Sequence, residues 1–152
     1  MVKLLVPAML LASFVSASAA DYSAVLFDLR GDPIVDELSP GPRDETGKVT
    51  HARWCSAAEY KANPKNCDVL TLGAAAGNAL SVNDKDVEEL SARERTAEKA
   101  RRGNLARRLY HGGKIDLGAE DIALIKRMIG LVYGSVVTSA ALPLLDPAGD
   151  PK

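Results

Sequence analysis

Between Met128 and Leu145 the chain carries no charged residue, and that run decides what can form around it. Its length reaches the threshold for a membrane-spanning helix. Gly130, Gly134, Ser135, Thr138, Ser139 and Pro143 interrupt it, whereas a span should be continuously apolar. The expectation is two buried helical segments meeting at Gly134. In the first, Ile122, Ile125, Ile129 and Val132 recur at three- and four-residue steps, the stripe of an amphipathic helix. The second, "SVVTSAALPLL", is nearly apolar and should be stopped by Pro143 and Asp146-Pro147. A short tail, 148–152, is expected to be disordered.

The rest of the chain supplies partners for those helices. Ser91 and Glu94 stand in capping-box spacing, and a long helix is predicted from Ala92 to Tyr110, ending at Gly112-Gly113. Its buried side is expected to be Ala97, Leu105, Ala106, Leu109 and Tyr110. Thr71 is the expected N-cap of "LGAAAGNALSV", whose glycines and alanines leave a slim face that suits close packing and is one candidate surface for a protein partner. "SAVLFDLRGDPIVDEL" (Ser23–Leu38) alternates apolar and polar residues around the turn Gly31-Asp32-Pro33, the pattern of a β-hairpin. That turn chemistry also accounts for the adhesion-like tripeptide Arg30-Gly31-Asp32. Ser39–Arg53 reads as a surface loop, Ser56–Ala62 as one or two helical turns, and Lys114–Leu117 as a short extended link. Together these predict an α+β fold, mostly α, with an N-terminal β-hairpin packed on a bundle of about four helices.

The chain opens "MVKLLVPAMLLASFVSASAADYS": one positive charge at Lys3, an apolar run from Leu4 to Val15, then small residues. That is the layout of a secretory signal peptide. The small residues required before the cut are supplied by Ala17-Ser18-Ala19 and by Ser18-Ala19-Ala20. The sequence alone favours cleavage between Ala20 and Asp21, giving a leader, 1–20, and a single globular domain, 21–147. No membrane span is expected after cleavage, and the location expected is periplasmic or secreted.

Export changes the reading of Cys55 and Cys67, the two cysteines of the chain. Redox-active pairs normally stand as Cys-x-x-Cys at a helix N-terminus, and this spacing is different. A zinc site would need further ligands, with His51 and His111 the two histidines present. In an oxidising compartment a structural disulfide is the expectation. "NDKDVEEL" begins like a calcium loop, but Glu89 stands where glycine is needed and Arg95 where the bidentate acid belongs. No metal and no cofactor is expected.

Six arginines decorate the long helix, and Arg101, Arg102, Arg107 and Arg108 form the candidate face for a protein partner. Glu94 and Glu98 among them argue for local ion pairing. A formal net charge of −1 and the lack of interleaved aromatics disfavour nucleic acid. There is no Gly-x-Ser-x-Gly elbow and no phosphate loop, so no catalytic residue is assigned.

"DLRGDP", "LTLG", "EKARRGNLARRLY", "DLGAEDIALIKRMIGLVYG" and "LLDP" together resemble a group of small phage- and prophage-encoded bacterial proteins. The resemblance covers Ser23 to Pro147 with a gap at the cysteine loop. It implies no activity and assigns no site residue. The functional expectation is a small exported, non-enzymatic, protein-binding protein. The alternatives are a phage-derived assembly or structural factor with an uncleaved start, and an envelope hydrolase whose carboxylates meet only in three dimensions.

Overall fold

The computed structural model describes residues 19–37, 46 and 53–146. The expectations for most of the leader, for His51, for most of the Ser39–Arg53 loop and for the tail lie outside these residues. The protein is α+β and mostly α.

Among the described residues the longest element is α4 (Ala92–Tyr110). Its capping box is closed in both directions: the Glu94 N–H donates to Ser91 Oγ at 3.4 Å, and the Ser91 N–H donates to the Glu94 carboxylate at 3.2 Å. Gly112 and Gly113, at φ 68° and 83°, then turn the chain back in a conformation that costs glycine little.

Helix α2 (Leu72–Leu80) packs against α4, α5 (Ala119–Val132) and α6 (Ser135–Leu145). Thr71 caps α2 as its sequence predicts, accepting the Ala74 N–H at 3.1 Å. Every α2 residue except Asn78 is buried. A Cβ at Gly73 would collide with the backbone carbonyls of Leu109 and Tyr22, and one at Gly77 with the Tyr110 ring. The slim face is therefore the centre of the core, which removes it as a surface for an outside partner.

The charge-free run divides as expected. Helix α5 ends at Val132, Tyr133 and Gly134 are extended, and α6 begins at Ser135. Ile125, Met128 and Ile129 of α5 and Ala141 and Leu145 of α6 belong to the core. Among the described residues no helix is long and apolar enough to cross a membrane. Pro143 does not stop α6, which continues to Leu145. A proline this close to the end removes one backbone bond, and burial of Leu145 holds the last turn.

The N-terminal hairpin is tighter and less regular than the alternating pattern predicts. Phe27 and Pro33 bridge across it, the Asp28 N–H donates to the Asp32 carbonyl at 2.8 Å, and Gly31 turns at φ 86°. A third segment completes it. The Leu26 N–H bonds to Leu70 O (2.9 Å), Leu70 N–H to Ile34 O (2.7 Å), and Ile34 N–H to Leu26 O (2.9 Å). Val25 bridges to Thr71 and Val35 to Val69. The two bonds to Leu70 satisfy backbone groups of Leu26 and Ile34 that a two-stranded hairpin would leave open beside the core. The regular sheet pairs β1 (Ala20–Asp21) antiparallel with β2 (Lys114–Ile115), Ala20 opposite Ile115.

Candidate functional site

Cys55 and Cys67 are joined, with their Cα atoms 5.8 Å apart. The bond closes a loop containing α1 (Ala57–Ala62) and a single 3₁₀ turn, Pro64–Asn66. Ser56 caps α1 in a second capping box, with the Ser56 N–H donating to the Glu59 carboxylate at 2.9 Å. Those bonds hold the Glu59 carboxyl below its ordinary range. Neither α1 nor the 3₁₀ turn buries a residue, so hydrophobic burial does not account for their order. The cross-link and caps substitute for a core here.

The loop is fastened to the hairpin turn. Asp32 accepts the Ala57 N–H at 2.7 Å, and the Phe27 and Tyr60 rings meet edge to face at 6.0 Å. The Arg53 N–H donates to Asp68 at 2.8 Å, closing the base of the loop. Asp28 accepts the N–H groups of Arg30 and Asp32 at 2.8 and 2.9 Å, fixing the turn itself. On this braced frame Leu29 is 88% exposed, Trp54 61% and Phe27 43%. Large apolar side chains held in water on a rigid support are a recognised feature of binding surfaces. The sequence pattern could not single them out, because alternation assigns Phe27 and Leu29 only to one face of a strand. The usable signal was local: Leu29 adjoins the turn and Trp54 adjoins a cysteine.

The four arginines proposed as a partner face do not act together. Arg102 is only 5% exposed. It donates to Glu98 at 2.9 Å and pairs with buried Asp84 at 3.3 Å. Arg101 is committed to Glu98 at 2.9 Å and Asp121 at 2.7 Å. Arg127 of α5 completes the chain of charges, reaching Asp84 at 2.9 Å and also Asp86. Hydrogen bonding from Arg101, then from Arg102, outweighs burial and pulls the Glu98 carboxyl down to about 2. Burial pushes the Asp84 carboxyl up, but the Val87 N–H, Arg102 and Arg127 more than offset it and leave it lowered. Asp84 also caps α3 (Lys85–Glu88) by accepting the Val87 N–H at 3.2 Å. This acidic stretch is thus helix cap and ion pair, joining α3, α4 and α5. The exposed remainder of the arginine face is Arg107 and Arg108, beside Asn104 and His111.

A cavity of about 380 Å³ lies between the 34–37 segment and the α5–α6 corner. Ile34, Val35, Leu70, Val132 and Val137 form its apolar wall, with Asp36, Glu37 and Tyr133 at its polar side. The Tyr110 hydroxyl donates to Asn78 Oδ1. Burial, with the charge of Asp36 behind it, pushes the Tyr110 hydroxyl above its ordinary range. The Tyr133 hydroxyl is shifted the same way, first by burial.

No protein-family model, curated protein or solved structure matches this chain.

Proposed function

We propose that the protein is exported to the periplasm or the extracellular space and acts there, without catalysis, by binding another protein through its hairpin turn and disulfide loop. One observation carries the binding reading: Phe27, Leu29 and Trp54 stand in water on a frame fixed by a cross-link, two side-chain-to-backbone bonds and a ring contact. Aromatic and large apolar anchors on a rigid support lose little conformational entropy on association. The export reading is supported by the leader pattern at the start of the chain and by a cysteine pair that is joined. The resemblance to prophage-encoded proteins fits an exported descendant of such a group.

Cross-linking in the periplasm tests the reading. The wild-type protein should give one discrete adduct, and Leu29→Ser with Trp54→Ser should lose it while keeping the same Tm. Arg107→Glu with Arg108→Glu should keep it. An adduct lost on reversing the arginines and kept without Leu29 and Trp54 would move the interface to α4. No adduct with the wild type would overturn the reading.

A further inference from the structure

We infer that the leader is removed by hydrolysis of the Ala19–Ala20 peptide bond, so that Ala20, not Asp21, is the first residue of the mature protein; this rests on the export reading above. Both positions satisfy the small-residue requirement of a leader peptidase. The sequence alone favours the cut after Ala20; the fold favours the cut after Ala19. Ala20 is 6% exposed and belongs to the main hydrophobic cluster. It is half of β1, lies opposite Ile115 of β2, and β1 packs against α6. The Tyr22 N–H donates to the Gly113 carbonyl at 2.8 Å. Hydrogen-bonded pairs recur at every second residue of an antiparallel ladder, so the same register makes Ala20 and Ile115 a bonding pair. Ala19, by contrast, is exposed.

A cut after Ala20 would remove a buried side chain and the carbonyl that faces the Ile115 N–H. A cut after Ala19 removes nothing that the core or the ladder uses. In that hydrolysis the water oxygen bonds to the Ala19 carbonyl carbon as its bond to the Ala20 nitrogen breaks, and both water protons end on that nitrogen, leaving the Ala19 carboxylate and the Ala20 ammonium. The resulting ammonium is still a donor and can still face the Ile115 carbonyl. The peptidase meets an extended chain during export, before β1 has paired. Once the chain has folded, burial of Ala20 shields the Ala20–Asp21 bond from further trimming.

Intact mass and N-terminal sequencing of the protein recovered from the periplasm test this. The wild type should begin at Ala20. Ala17→Leu removes the small residue needed for the cut after Ala19 but leaves Ser18 and Ala20 in place for the neighbouring cut. That variant should begin at Asp21 and melt at a lower temperature than the wild type. A wild-type chain beginning at Asp21 would overturn the inference and leave the export reading standing. A wild-type chain beginning at Met1 would overturn both. A chain shortened to Asp21 that melts like the wild type would remove the structural reason for the assignment.

Discussion

Gly73 and Arg102 show how much a single position can carry in this fold. At Gly73 the obstacles to a side chain are two backbone carbonyls, those of Leu109 and Tyr22, and backbone cannot move aside as a flexible side chain can. Gly73→Ala should cost roughly 1–3 kcal/mol by overpacking, read as a lower midpoint in urea unfolding with unchanged slope. Arg102 is different, because removing it strands a charge. Arg102→Ala leaves Asp84 buried with one fewer cation and should cost about 3–5 kcal/mol. The paired change Arg102→Met with Asp84→Asn should cost less, since neither of these two charges is then left behind and the amide oxygen introduced at position 84 can still accept the Val87 N–H. Thr71, Ser91 and Glu94 could be read directly from the chain, because a cap is a local arrangement of side chain and backbone. Arg102 could not. Its neighbours Arg101 and Arg107 are the same residue type in the same helix, and it is the approach of Asp84 at the start of α3 and of Met128 from α5 that makes it interior.

Among the elements, the disulfide loop and the charge network at the α4–α5 contact respond to different conditions. Cys55→Ser should lower stability by about 3 kcal/mol under oxidising conditions, the chain-entropy value for a loop of this size. Reductant should bring the wild type down to the same Tm, because both then lack the bond. Acid acts on the charge network. The Glu98 carboxyl lies at about 2 in the folded protein against an ordinary value of 4.5. Between these values the unfolded chain takes up the proton first, so stability falls as pH drops through that window. The contribution is complete above about pH 4.5. Thermal unfolding should therefore show a Tm that declines from there towards pH 2, and Glu98→Gln should flatten that decline. Element identity was largely legible from periodicity and caps: α4 occupies Ala92–Tyr110 as its sequence predicts, and the charge-free run breaks at Tyr133–Gly134. The hairpin was legible only in outline. Leu26 and Ile34 complete their bonding through Leu70, a partner that no local pattern reveals.

At the scale of the whole molecule, the core and the exterior are held by different means. The four larger helices bury a continuous cluster that runs from Ala20 to Leu145. The hairpin turn and cysteine loop lie outside it, fixed by a cross-link and polar bonds, and they display apolar side chains to solvent. That division suits a molecule that must keep one surface in shape without burying it. The proposed export fits this division, since an oxidising compartment maintains the bond on which the loop depends. Mass spectrometry of the full-length gene product from periplasm, alkylated with and without prior reduction, tests this account most directly. The account predicts a chain that begins at Ala20 and takes up no alkyl group until it is reduced, when Cys55 and Cys67 each take one. A chain that retains Met1 and has both thiols open to alkylation before reduction would contradict it.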